Sequence, residues 1–250
     1  MQRLLLAIQF LTILPVPSPK RCEANDLGRS TAWFPLVGLL LGGLLWLADL
    51  ALTPLFPRHL TDALLVMLLA LLTGGLHLDG LADVCDGLAA RGDKVRFLAV
   101  MKDSRVGALG VVGLVLGLLL KYAALLAVPI YLKRPVLLLM PALARFAQLA
   151  LLAGSRAARS NGLGSAILTG MGPAQMLFAT ATALPLAWFT MQVAGLIALL
   201  AVSLWALAVR WYFTRRLGGI TGDIAGFTSE TAEVLALLAV VATTAILTWI

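Results

Sequence analysis

Charge is scarce in this chain. Asp, Glu, Lys and Arg make up 12% of its 250 residues, about half their share in soluble domains, and the mean hydropathy is +0.98. An ordinary soluble fold is excluded. Cysteine is nearly absent as well: Cys22 and Cys85 stand without a CxxC pattern, so no disulfide framework is encoded and each reads as a free, reduced thiol. Tracts that interleave basic residues with exposed aromatics are missing, and with them the signature of a nucleic-acid partner. No segment repeats at a fixed period, and compositional bias goes no further than the Leu and Ala that membrane spans explain.

Long apolar runs are what the sequence has instead. Spans of about 17–25 residues are expected at 31–53, 62–78, 106–128, 135–153, 174–191, 194–213 and 231–250. The fold class that follows is all-α: a polytopic integral membrane protein with about seven transmembrane helices, forming one domain over residues 1–250. The run RLLLAIQFLTILP at 2–14 is too short to cross and ends in a proline-rich stretch. It is expected to be an interfacial or half-inserted helix.

Lys and Arg set the orientation. Thirteen of them (Lys20, Arg21, Arg29, Arg91, Lys94, Arg96, Lys102, Arg105, Arg156, Arg159, Arg210, Arg215, Arg216) gather on one side and three (Arg58, Lys133, Arg134) on the other. The richer side is read as cytoplasmic. The formal net charge of +7 is mostly this topology signal, with attraction to anionic lipid or an anionic substrate.

Against that scarcity, LHLDGLADVCDG at 76–87 packs three aspartates into eight residues. On a helix Asp79, Asp83 and Asp86 fall at 0°, about 40° and about 340°, sharing one face. Facing lipid at mid-bilayer each would cost about 2.5–3.5 kcal/mol, so they must face water, a cavity or a cation. A divalent metal reconciles three repelling carboxylates, and hard oxygen ligands favour Mg²⁺. A solvated amphipathic helix on the cytoplasmic surface is the other reading of the same spacing. His77 lies at about 160° from Asp79, which separates it from a shared metal and leaves an interfacial histidine or a substrate contact.

Two further clusters break the apolar pattern. MKDSRVGALG at 101–110 offers Lys102, Asp103, Ser104 and Arg105 within four residues, a set that suits a phosphate and its metal; topology and helix capping explain it equally. LGGITGDIAGFTSETAE at 217–233 brings Gly219, Thr221, Gly222 and Asp223 before Glu230 and Glu233. Glycine-rich turns at helix N-termini bind phosphate, whereas a plain turn leaves two glutamates uncompensated in an apolar helix. Lys121 and Arg145 interrupt spans: Lys121 is expected to snorkel, and Arg145 to meet an acidic partner or a bound anion.

Taken together, the chain resembles the cobalamin synthase (adenosylcobinamide-GDP ribazoletransferase) family. The likeness is carried by FLTILPVP at 10–17, WFPLVGLLLG at 33–42, the HxDGxxDxxDG element with MKDSRxG downstream within 74–110, ARF at 144–146 with a later NGLG, and GGITGD followed by two glutamates. These run in family order over almost the whole length. SNGLG and FTSE depart from the pattern.

The resemblance implies a transferase of a substituted phosphate group, of EC 2.7.8 type, resident in the bacterial inner membrane with its acidic loops facing the cytoplasm. Its substrates would be adenosylcobinamide-GDP and α-ribazole or the 5′-phosphate, its products adenosylcobalamin (or its phosphate) and GMP, and its cofactor Mg²⁺. Asp79, Asp83 and Asp86 would be metal ligands, one of them or Asp103 taking the attacking proton. Lys102, Arg105 and Arg145 would stabilise phosphate charge, with His77, Ser104, Gly219, Thr221 and Gly222 as further substrate contacts. Asp223, Glu230 and Glu233 would hold a second metal or orient the ribazole. Membrane lipid is the other partner, and a homo-oligomer is left open. Among rivals, CDP-alcohol phosphotransferases require DGxxAR, which Asp83-Val84 breaks. Membrane prenyltransferases share two acidic motifs but not MKDSR or GGITGD. A transporter would place its carboxylates near the midplane of two related halves.

Overall fold

Helix α8, Lys133–Leu152, is the axis of the bundle in the computed structural model, and every residue from Leu139 to Leu152 is buried. The structure describes residues 2–17, 23, 25–90, 92–159 and 163–249. Lys20, Arg21, Cys22, Arg91 and the SNG of SNGLG lie outside them. In chain order the helices are α1 (Gln2–Leu11), α2 (Asp26–Ser30), α3 (Phe34–Leu52), α4 (Arg58–Leu72), α5 (Leu76–Ala89), α6 (Lys94–Val100), α7 (Ala108–Ala127), α8, α9 (Leu163–Thr169), α10 (Pro173–Leu217) and α11 (Gly222–Trp249). Among the described residues there are no strands, only one isolated bridge between Ala157 and Ile220.

Helices α3, α10 and α11 wrap α8. Its contact with α3 is a backbone approach. A Cβ on Gly38 would lie 2.4 Å from the Pro141 carbonyl oxygen, and one on Gly42 2.6 Å from that of Leu137. Pro141, inside the helix, has no N–H to give Leu137, and the small-xxx-small pair Gly38 and Gly42 lets α3 dock against the backbone on either side of that break.

Among the described residues five helices are long and apolar enough to cross a membrane: Asp26–Leu52, Ala108–Ala127, Ile130–Leu152, Pro173–Leu217 and Gly222–Ile246, with α4 and α5 together counting as a sixth. The expected span at 62–78 is corrected here. The chain breaks at Thr73–Gly75 and turns by 90°, with Gly74 and Gly75 at φ of 60° and 69°, a left-handed conformation that glycine adopts without penalty. The acidic stretch therefore has a helix of its own. α10 has 45 residues, about 67 Å if straight, twice the thickness of a hydrocarbon core. Its backbone leaves helical geometry at Gln192 (φ 48°, ψ −127°). A Cβ on Gly195 would meet the Ala187 carbonyl at 2.1 Å, so the limbs on either side lie against each other. Of the 2–14 run, Gln2–Leu11 form α1, too short to cross, which buries Ala7, Ile8 and Leu11 and stacks Phe10 on Phe34 at 6.0 Å.

Among the described residues two buried ion networks tie the bundle. At the end predicted to be external, Lys133 bonds Asp49 at 2.7 Å and Asp62 at 2.5 Å, while Arg134 and Arg58 hold the outer edges of the same two aspartates. Within the bundle Lys121 reaches Glu230 and Glu233, each at 2.5 Å, and Arg145 bonds Glu233 and the Ser229 hydroxyl, each at 2.7 Å. Lys121 does not snorkel: it is 4% exposed, because two carboxylates meet it inside. Removing one partner of such a set strands the rest. Lys121→Met should therefore destabilise the protein by about 3–5 kcal/mol, read as a lower thermal midpoint in detergent, and adding Glu230→Gln should recover much of the loss.

Candidate active site

The site begins where α5 crosses α11. A Cβ on Gly80 would lie 2.5 Å from the Asp223 carbonyl oxygen, and one on Gly226 would touch the His77 backbone at 3.3 Å. Only residues without side chains allow the two backbones so close. The approach sets Asp79 and Asp83 of α5 beside Asp223 in the first turn of α11. Asp83 feels the charges of Asp79, Asp223 and Asp86, with Arg159 opposing them, and Arg159 stands 3.7 Å from Asp223.

Asp79 and Asp223 line a cavity of about 210 Å³. Its walls are apolar, including Phe10, Phe34, Leu152 and Ile220, and its polar lining includes His77, Gln148, Arg159 and Thr221. The GGITGD segment that forms one wall is fixed by two bonds, Ile220 N–H to the Arg156 carbonyl at 2.8 Å and Ala158 N–H to that of Ile220 at 3.0 Å. Gly219 belongs to that seam: a Cβ there would lie 2.4 Å from the Arg156 oxygen. Thr221 accepts from Ile224 N–H at 3.3 Å, helping to cap α11, and with Gly222 lines the cavity.

Not every expected residue arrives there. The Asp86 carboxylate accepts from the N–H groups of Gly107 and Gly110, each at 2.7 Å, so it caps α7 from another helix. A Cβ on Gly110 would sit 2.4 Å from that carboxylate. Among the described residues no three His, Cys, Asp or Glu side chains gather closely enough to hold a metal; the Asp79, Asp83, Asp86 triad is not assembled as three ligands. Glu230, Glu233 and Arg145 stand outside the cavity lining, since each neutralises the buried network. Lys102, Asp103, Ser104 and Arg105 are exposed and also outside it. Arg105 clamps Asp103 through its backbone N–H at 3.0 Å and its guanidinium at 3.0 and 2.8 Å. These bonds hold the Asp103 carboxyl at about 2, which makes it a weak base.

The expected His77 contact takes a sharper form. His77 is 1% exposed and, among the described residues, neither ring nitrogen has a hydrogen-bond partner. Gln148 went unnoticed in the sequence, although a lone amide three residues after Arg145 in an apolar run is a readable signal; the two share a helix face. Phe10 and Phe34 carried no such signal.

A model of the cobalamin-5-phosphate synthase family matches residues 3–241. The chain belongs to this family. It is 53% identical to the adenosylcobinamide-GDP ribazoletransferase of Geotalea daltonii, over 95% of this chain and 96% of that one. Proteins of the same name from Stutzerimonas stutzeri and Desulfitobacterium hafniense are 44% and 38% identical, over 92% and 95% of this chain and 94% and 96% of theirs. No solved structure matches.

If Asp86 serves as a cap, Asp86→Ala should cost about 1–2 kcal/mol of stability, whereas Asp83→Asn, which relieves repulsion, should not lower the thermal midpoint. Unfolding of both variants in one detergent tests the difference.

Proposed function

We propose that this chain is an Mg²⁺-dependent adenosylcobinamide-GDP ribazoletransferase of the bacterial inner membrane. It joins adenosylcobinamide-GDP to α-ribazole, or to its 5′-phosphate, with release of GMP. The observation that carries the reading is the convergence of Asp79, Asp83 and Asp223 beside a nucleoside-sized cavity, in a member of this family.

In the reaction a ring hydroxyl of the ribazole ribose, free in the 5′-phosphate as well, attacks the phosphorus attached to cobinamide. A new P–O bond forms, the pyrophosphate P–O bond breaks, and GMP leaves with the electron pair. The hydroxyl proton passes to a carboxylate, for which Asp79, Asp83 and Asp223 are better placed than the clamped Asp103. The carboxylates orient that hydroxyl, and the apolar walls keep water from competing for the phosphorus. Arg159, and Lys102 and Arg105 from their exposed loop, are cations within this chain that can meet phosphate charge.

The donor set fits Mg²⁺. Its hard carboxylate oxygens suit the ion, which commonly takes one or two protein carboxylates and completes its shell with phosphate oxygens and water; one or two of Asp79, Asp83 and Asp223 would hold it. Bound there, the ion supplies positive charge to the phosphates as negative charge builds on the leaving group.

In this reading the two limbs of α10 cross the membrane separately. With the α4–α5 pair they raise the number of spans to seven, and the 76–110 segment faces the cytoplasm.

The test is GMP release by purified protein given both substrates, with Mg²⁺ or EDTA. Release should require the metal and fall at least about 100-fold in Asp83→Asn, since even the outer partners of metal ligands are worth 10–100-fold. Undiminished turnover in EDTA or in that variant would remove the metal role from this acidic face.

A further inference from the structure

Two buried side chains lining the cavity have hydrogen-bonding capacity that the protein leaves unused. His77 is 1% exposed and Gln148 3%. Gln148 donates its Nε2–H to the Ala225 carbonyl at 3.2 Å, while its Oε1 has no partner among the described residues, like both nitrogens of His77. Buried polar groups are nearly always satisfied, and an orphan pair lining one cavity points to a ligand that completes it. Gln148 offers an acceptor, and an imidazole offers a donor and an acceptor on its two nitrogens.

The remaining lining says which substrate fits. Phe10 and Phe34, stacked at 6.0 Å with their planes 13° apart, line the cavity with Leu152, Ile167 and Ile220, as suits an aromatic base. About 210 Å³ takes a nucleoside and not a corrin ring. Among the described residues its one lining cation, Arg159, already faces Asp223, and Asp79 and Asp223 repel anions, so the described lining offers the GDP end of the other substrate no phosphate site.

We propose that this cavity is the α-ribazole subsite, with His77 and Gln148 as the residues that recognise it. The aromatic base packs on the Phe10–Phe34 side, the orphan groups of His77 and Gln148 pair with its ring nitrogen and a ribose hydroxyl, and the attacking ring hydroxyl of the ribose lies beside Asp79 and Asp223. This assignment rests on the transferase reading above, and makes the acceptor site separate from the place where the corrinoid substrate docks.

Binding of α-ribazole to the full-length protein in detergent, with and without adenosylcobinamide-GDP, tests it, together with the KM for each substrate from GMP release. The variants are His77→Phe, which sacrifices no hydrogen bond among the described residues, and Gln148→Met, which removes the orphan acceptor at nearly constant shape. Each should weaken α-ribazole binding and raise its KM about fivefold to tenfold, in line with one lost hydrogen bond, with the KM for adenosylcobinamide-GDP changed less than twofold. The thermal midpoint of His77→Phe should not fall. A raised KM for the corrinoid substrate alone, or unchanged constants for both in folded variants, would overturn the assignment, as would a wild-type protein that fails to bind α-ribazole under either condition. Should wild-type protein bind α-ribazole with these variant effects yet release no GMP, the subsite stands and the transferase reading falls.

Discussion

Everything about this site depends on a charge problem solved inside the bundle. Two glutamates of α11 are buried where a charge exposed to lipid would cost about 2.5–3.5 kcal/mol, and they persist because Lys121 of α7 and Arg145 of α8 meet them. The set is neutral: two cations against two carboxylates. Short, directional bonds of this kind are satisfied in only one arrangement, so they set the rotation and register of three helices. The register of α11 in turn presents Asp223, two turns before Glu230, to α5.

Close backbone approach then converts register into a site. Gly80 and Gly226 let α5 and α11 touch main chain to main chain, which pushes their carboxylates together while leaving a cavity beside them. The same device recurs where Gly38 and Gly42 of α3 meet α8. Without a hydrophobic drive between helices in lipid, packing at small residues holds such crossings. Asp86 shows how the arrangement is buttressed, since its carboxylate closes the start of α7 and so fastens the acidic helix to its neighbour.

Much was legible in the chain. Apolar runs located most of the helices, because a bilayer admits only segments that satisfy their own backbone, and the aspartates of 76–87 stood out because charge is scarce elsewhere. The break at Gly74–Gly75 was harder to read: its apolar flank continues the hydropathy signal of α4 into α5, and only the left-handed glycines reveal a corner. Asp49 and Asp62 passed without notice for a related reason. Each lies near the end of an apolar run, where a charge reads as exposed, and only the fold brings Lys133 between them.

By itself, the sequence determined the fold class, the approximate spans and the face shared by Asp79, Asp83 and Asp86, since these follow from hydropathy and helical period, both local properties. Which carboxylates serve the site was decided only by tertiary structure. Asp79 and Asp223 line the cavity, Asp83 stands beside them, Asp86 is a cap, and Glu230 and Glu233 are counter-ions. Their chemistry is the same throughout, and what distinguishes them is the partner that reaches each from a helix distant in the chain.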